Sequence, residues 1–133
     1  MSEQTISSCL LIDDDIDDHD IFGIALKDAG LSADCIYSSD PVEAIKNLTE
    51  KTYNPDCIFI DMNMPRMNGT ECLTEIRKIE RLHRVPIYMY STAADPVTVN
   101  EAKKLGATAF LVKPPSISEL ALKLKELFLS VNS

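Results

Sequence analysis

The sequence lacks an excess of positive charge. It contains 13 Lys and Arg residues against 21 Asp and Glu, so its formal net charge is −8. Such a surface repels nucleic acid and anionic lipid, and we expect the protein to bind neither directly. The sequence also lacks an apolar run long enough to span a membrane, and Met1–Gln4 does not resemble the start of a signal peptide. These absences predict a cytoplasmic protein.

Paired cysteines and linkers are also missing. The four cysteines, none at C-x-x-C spacing, are Cys9, Cys35, Cys57 and Cys72. Three of them occupy apolar positions, so we expect buried reduced thiols rather than disulfides or a metal site. No repeat, low-complexity segment or linker divides the chain. Because this length suffices for one hydrophobic core, residues 1–133 are expected to form a single domain with its core at about 7–130.

Four short apolar runs each end in a polar residue suited to phosphate chemistry. They are Cys9–Ile12 before Asp13, Cys57–Ile60 before Asp61, Pro86–Tyr90 before Ser91, and Ala109–Val112 before Lys113. Runs of this length and composition are typical of strands buried on both faces. In an open parallel sheet, the ligand site lies beyond the carboxyl ends of the strands. Carboxylates, a hydroxyl and an ammonium are therefore expected to converge on one pocket.

Helical patterns alternate with these runs. Capping sequences such as Asp40-Pro41 and Asp95-Pro96 open two helices, and Ser116 with Glu119 forms a capping box before another. A third helix is predicted over Cys72–Ile79, and a weaker strand, Cys35–Tyr37, fits between the first two helices. This alternation predicts an α/β fold in which helices cover both faces of a parallel sheet.

The acids from Asp13 to Asp15 have no basic partner nearby in the sequence, so they repel one another. A divalent cation would relieve this repulsion. Mg²⁺ suits the site because it binds a few carboxylates, keeps several waters and accepts phosphate oxygens. Asp61 is then placed to act as a nucleophile that forms an acyl phosphate. Lys113 and Ser91 would hold the transferred oxygens.

Each of these features has a purely structural alternative. The acidic cluster Asp13–Asp18 can be a solvated turn that caps a helix, Lys113 can simply end a strand, and Ser91 can form a turn. The coincidence of all of them at strand ends favours the functional interpretation. An EF-hand is rejected, because the sixth position of its loop would be Asp18 and the twelfth Ile24.

Four motifs, in this order, resemble the receiver domain of two-component response regulators. They are Leu11–Asp15, Ile60–Pro65 followed by Asn68-Gly69, Ser91–Ala93, and Phe110–Pro114. The resemblance extends from Leu10 to Phe128. It implies a doubly wound (βα)5 fold of the flavodoxin-like, CheY-like type, with a five-stranded parallel sheet in the order 2-1-3-4-5.

The resemblance also implies a set of ligands for the metal ion. Asp14 would bind Mg²⁺ directly, Asp13 would bind it chiefly through water, and the phosphoacceptor Asp61 would complete the carboxylate ligands. The backbone carbonyl of Asn63 would supply a further oxygen.

Three other positions take their roles from the resemblance. Ser91 would bond the phosphoryl group, and Lys113 would pair with it. The peptide bond from Lys113 to Pro114 is expected to be cis. Phe110 occupies the position of the switch aromatic, where it lacks the hydroxyl of a tyrosine, so any switch would act through packing.

The function implied is phosphorelay signalling. A histidine kinase or histidine phosphotransfer protein would donate the phosphoryl group to Asp61 with Mg²⁺ as cofactor, and slow hydrolysis would remove it. The domain would catalyse its own phosphorylation but would not be an enzyme with a separate substrate. Since no residues remain for an output domain, the signal would pass to a downstream protein. The alternative is an interaction module of the same fold that ignores phosphate.

The last helix carries two leucines outside its core-facing arc. That arc spans about 120° and comprises Ile117, Leu120, Ala121, Leu124, Leu127, Phe128 and Val131. Leu122 and Leu129 lie roughly 80–100° beyond its edge, seven positions apart on a polar face. Single exposed leucines are normal, but this pair predicts a surface that contacts a partner or, in a homodimer, a second copy of the chain.

Overall fold

The computed structural model describes residues 8–50 and 53–131. Met1–Gln4 lies outside these ranges, and the side chain of Val131 is also outside the description. The described elements, in chain order, are β1 (Ser8–Ile12), α1 (Ile16–Asp28), β2 (Asp34–Ser38), α2 (Pro41–Thr49), β3 (Cys57–Asp61), α3 (Gly69–Arg77), a 3-10 helix (Glu80–Leu82), β4 (Ile87–Ser91), α4 (Pro96–Lys104), β5 (Ala109–Val112) and α5 (Ile117–Val131).

The strands form one parallel sheet in the order β2-β1-β3-β4-β5, which confirms the predicted fold. One apolar cluster on one face of the sheet includes residues of α1 and α5, and a second on the other face includes residues of α2, α3 and α4. Both faces are therefore covered, as the alternation of strands and helices predicted. None of the helices in residues 8–50 and 53–131 is long and apolar enough to cross a membrane.

The strand register aligns the residues that follow the strands. Ile12 lies opposite Ile60 in the β1–β3 pair, so Asp13 and Asp61 leave the sheet side by side. In the β4–β5 pair, Ser91 lies opposite Val112, and Lys113 follows directly. The four polar residues predicted from the strand ends therefore meet at one edge of the sheet.

Three helices begin at the capping residues expected from the sequence. The Asp40 carboxylate accepts hydrogen bonds from the first turn of α2, and the Asp95 carboxylate accepts one from Thr98 in α4. The Ser116 hydroxyl accepts a hydrogen bond from the Glu119 N–H at 3.2 Å. At α3, Asn68 forms a capping box, so that helix starts immediately after the loop that leaves β3.

Three expectations about local structure are wrong. The third helix spans Gly69–Arg77 rather than Cys72–Ile79, because the N–H groups of Lys78 and Ile79 bond to carbonyls only three residues earlier and so leave the α-helical pattern. β5 is not buried on both faces: it is the last strand of the sheet, and Val112 is 41% exposed. The peptide bond from Lys113 to Pro114 is trans, the intrinsically favoured isomer, and no cis bond occurs within the described ranges.

Candidate phosphoacceptor site

Three carboxylates lie together at the carboxyl edge of the sheet. One oxygen from each of Asp13, Asp14 and Asp61 lies within 4.8 Å of the others. Asp13 and Asp61 are buried, whereas Asp14 is exposed to solvent. The site therefore combines two buried acids with one that faces solvent.

Asp13 is fixed by hydrogen bonds to both its backbone and its side chain. Its N–H donates to the Ser38 carbonyl at 2.9 Å, which ties the end of β1 to β2. Its Oδ1 accepts the Asp15 N–H at 3.0 Å. The Nε2 of His19 donates to the Asp13 carbonyl at 2.6 Å, and its ring stacks on Tyr37. The carboxylate therefore has little freedom to leave the pocket.

For Asp15, the purely structural alternative, an acid that caps a helix, is correct. Its carboxylate accepts the Asp17 N–H at 2.9 Å and caps the N-terminus of α1. The cluster thus divides into acids that start the helix and acids that line the pocket, such as Asp13 and Asp14.

The main chain holds Asp61 close to the start of α3. The Gly69 N–H donates to the Met62 carbonyl at 3.0 Å. A Cβ on Gly69 would lie 2.7 Å from the Asp61 carbonyl oxygen and 2.8 Å from the Met62 Cα. Only a glycine permits this approach without moving the backbone. Asn63 is exposed, and its nearby backbone N–H opposes the rise in the pKa of Asp61; a metal contact of its carbonyl stays a prediction.

Lys113 is the cation of the pocket. Its Nζ donates to Asp18 Oδ2 at 2.7 Å, to Asp61 Oδ1 at 3.1 Å and to Asp13 Oδ2 at 3.3 Å. The ammonium also lies 4.9 Å from the centre of the Tyr90 ring. The three N–H donors of the ammonium are therefore all engaged with carboxylates, and an aromatic face borders it.

Ser91 is buried beside this group. Its carbonyl accepts the Lys113 N–H at 2.6 Å, which joins the ends of β4 and β5. Its hydroxyl oxygen accepts a long hydrogen bond of 3.4 Å from the Ala93 N–H. The hydroxyl proton is therefore available to an incoming oxygen.

The pKa values of the two buried acids show that the pocket is poor in positive charge. Burial, together with the nearby charge of Asp61, raises the pKa of Asp13 to about 7. Burial also raises the pKa of Asp61, although the charge of Lys113 opposes the shift. Burial by itself lowers the pKa of Lys113, but its bond to Asp18 and the charges of Asp13 and Asp61 raise it overall. One ammonium does not balance the acids around it.

The donor set fits Mg²⁺. Carboxylate oxygens are its preferred protein ligands, and the raised pKa values of Asp13 and Asp61 indicate that the anions lack a counter-charge. Oxygens bound to one Mg²⁺ lie about 3 to 4.2 Å apart, so the 4.8 Å spread closes with a shift below about 1 Å or with a bridging water. Asp13, Asp14 and Asp61 could therefore hold the ion.

Two predicted residues lie outside the pocket. Phe110 is half-buried on β5, opposite Met89 of β4, and packs against the apolar cluster that contains α3. On α5, Leu122 is 64% exposed and Leu129 is 56% exposed, which confirms that they lie outside the buried arc. Contact of these leucines with a partner stays a prediction.

Three residues in or beside the pocket were not predicted from the sequence. Asp18 was assigned only to a capping turn, and neither His19 nor Tyr90 was given a role. A carboxylate in the first turn of a helix is favoured by the helix dipole alone, so the sequence carried no separate signal for Asp18.

Comparison with known proteins agrees with this geometry. The family model of the response regulator receiver domain matches residues 9–125. The chain is 31% identical over 120 residues to the transcriptional regulatory protein CpxR homolog of Haemophilus influenzae, covering 90% of this chain and 49% of that protein. It is 34% identical over 79 residues to the chemotaxis protein CheY of Pseudomonas aeruginosa, covering 59% of this chain and 64% of that one.

Solved structures of response regulators are also similar to this chain. The chemotaxis protein CheY4 of Vibrio cholerae is 31% identical, with a TM-score of 0.79 over 92% of this chain and 98% of the other. The phosphorylated cyanobacterial phytochrome response regulator RcpA has a TM-score of 0.83 over 96% and 97% of the two chains; at 24% identity it supports the fold alone. The chain spans between 10% and 64% of the length of the first curated relatives. It belongs to the response regulator receiver domain family.

Proposed function

We propose that this protein is a phosphoacceptor in two-component or phosphorelay signalling and that Asp61 is the residue phosphorylated. The observation that carries the proposal is the buried Asp61 carboxylate, which shares a pocket with two further acids and contacts Lys113 Nζ at 3.1 Å. A carboxylate nucleophile, a site for a divalent cation and a fixed ammonium are the three components that phosphoryl transfer to an aspartate requires.

In the transfer, an Asp61 oxygen attacks the phosphorus atom of the donor. The new O–P bond forms as the bond from phosphorus to the leaving group breaks. If the donor is a phosphohistidine, the imidazole nitrogen leaves with the electron pair of the P–N bond and takes up a proton. Mg²⁺ held by Asp13, Asp14, Asp61 and the Asn63 carbonyl would offset the negative charge of the acids and of the phosphoryl oxygens.

Lys113 and Ser91 would hold the transferred group. The Lys113 ammonium already contacts Asp61, so it lies within reach of oxygens attached to that carboxylate. The Ser91 hydroxyl would donate to a second phosphoryl oxygen. The main-chain bond from the Lys113 N–H to the Ser91 carbonyl fixes the ends of β4 and β5, which carry these two side chains.

The donor is proposed to be a histidine kinase or histidine phosphotransfer protein, and the output a downstream protein. A cytoplasmic location follows from this proposal. An interaction module that ignores phosphate is less favoured, because burying Asp13 and Asp61 is costly and brings no benefit to such a protein.

The test is phosphorylation by acetyl phosphate. We expect the wild type to gain one phosphoryl group only when Mg²⁺ is present, as measured by intact mass and by mobility on a phosphate-affinity gel. Asp61→Asn should lose the label and keep the same far-UV circular dichroism spectrum, because the amide is a poor nucleophile of almost the same size. Asp34→Asn is the matched control, since Asp34 is exposed at the opposite end of β2. Wild-type labelling in Asp61→Asn would place the nucleophile elsewhere.

A further inference from the structure

The shortest contact of the Lys113 ammonium is with Asp18. Its Nζ lies 2.7 Å from Asp18 Oδ2, closer than to the oxygens of Asp61 or Asp13. Asp18 belongs to the first turn of α1, where its N–H donates to the Asp15 carbonyl at 3.0 Å. The side chains of Asp18 and Lys113 are 20% and 14% exposed, so water screens their contact only in part.

Asp18 differs from the other two acids that contact Lys113. Asp13 and Asp61 belong to the group that could hold a metal ion, and that group does not include Asp18. When a cation binds and Asp61 is esterified, both Asp13 and Asp61 lose charge that is available to the ammonium. Asp18 is neither esterified nor one of these candidate metal ligands. It is then the anion that the phosphoryl group must compete with for Lys113.

The surroundings of Lys113 leave it few other positions. The Tyr90 ring lies 4.9 Å from the ammonium, and the three carboxylates occupy its three donors. A phosphoryl oxygen can therefore gain a bond from Lys113 only if one of the present bonds is broken or lengthened. The bond to Asp18 is the one that metal binding and phosphorylation do not themselves weaken.

We propose that Asp18 is a positioning residue that competes with the phosphoryl group for Lys113 and so limits the affinity of the site for that group. This inference rests on the proposed function, because it assigns Asp18 a part in the same reaction. It acts through Lys113 and does not touch the transferred group. The competition has a definite sign: removing the charge of Asp18 should tighten phosphoryl binding, whereas removing a purely structural support would weaken it.

The experiment measures binding of beryllofluoride, a stable phosphoryl mimic, to the full chain at saturating Mg²⁺, followed by fluorine NMR. Asp18→Asn should lower the apparent Kd about 3- to 10-fold, the value of one partly screened charged contact. Asp18→Glu retains the charge and should stay within about twofold of wild type. Asp20→Asn is the control. Asp20 is an exposed acid on the same helix, so this substitution removes an equal charge.

A double-mutant cycle tests whether the effect passes through Lys113. In a Lys113→Met background, Asp18→Asn should change the beryllofluoride Kd less than twofold, because the contested cation is gone. An unchanged or weaker affinity in Asp18→Asn, or an equal gain in the Lys113→Met background, would overturn the inference. Melting temperatures of the variants identify any loss of folding, and in that case Asp18→Ser provides the same charge change. A wild type that neither labels at Asp61 nor binds the mimic would instead refute the proposed function.

Discussion

Burial of Asp13 should make the metal-free protein less stable as the pH rises. The pKa of this carboxyl is about 7 in the folded state, against 3.8 for an unperturbed aspartate. Because the folded state binds the proton more tightly than the unfolded chain, the free energy of unfolding decreases from about pH 4 to about pH 7 and then levels off. The stabilisation conferred by protonated Asp13 is complete below pH 4.

The magnitude follows from the same shift. Raising the pKa of Asp13 from 3.8 to about 7 corresponds to about 4 kcal/mol between the acid and neutral limits. The pKa of Asp13 already reflects the attraction of Lys113, whose Nζ lies 3.3 Å from Asp13 Oδ2, so that contact needs no separate correction. We therefore expect Asp13→Asn to be more stable than wild type by up to about 4 kcal/mol at pH 8 and to lose that advantage at pH 4.

The assay is urea unfolding with a metal chelator present, followed by far-UV circular dichroism at several pH values between 4 and 8. The quantity compared is the difference in unfolding free energy between Asp13→Asn and wild type. Asp34→Asn, which removes an exposed acid far from the pocket, should show no such pH dependence. A difference that stays constant over this pH range would refute the argument that ionisation of Asp13 destabilises the fold.

Three further predictions concern the pocket and the surface of α5. Mg²⁺ at ten times its Kd should raise the free energy of unfolding by about 1.4 kcal/mol and Tm by about 5 °C, and a wild-type melting curve indifferent to millimolar Mg²⁺ would contradict the metal site. Asp14→Ala should raise the metal-free Tm by about 2 °C through reduced repulsion, while abolishing the Mg²⁺ response and phosphorylation. The double variant Leu122→Ser/Leu129→Ser should lose association with a partner or a second copy, measured by pull-down and light scattering, with labelling at Asp61 retained; unchanged association would make these leucines ordinary surface residues.

The sequence predicted the part of the site that lies on the sheet. Short apolar runs identify the strands, and in a parallel sheet their carboxyl ends share one edge, so Asp13, Asp61, Ser91 and Lys113 had to lie near one another. The strand register alone brings these residues together, so their distances did not have to be known in advance. The resemblance to receiver domains added the strand order and the separate roles of these residues.

The part of the site on α1 could not be predicted in the same way. Asp18 and Lys113 are 95 positions apart, and their contact depends on how α1 is rotated against the sheet. The hydrophobic pattern defines which face of α1 is buried, but it does not resolve which acid of the first turn reaches the pocket. The side chain of His19 bonds to a main-chain carbonyl, and such a bond leaves no pattern in the sequence.

Lys113 connects the chemistry of the pocket to the packing of β5. Its ammonium is shared among three acids, while its backbone N–H bonds to the Ser91 carbonyl at 2.6 Å. Three residues earlier on the same strand, Phe110 packs half-buried against the core. A phosphoryl group that draws the ammonium away from Asp18 therefore acts on the end of a strand whose main chain is fixed to β4. Because packed cores do not deform continuously, we expect such a displacement to be absorbed by the partly exposed Phe110 rather than by the buried strands.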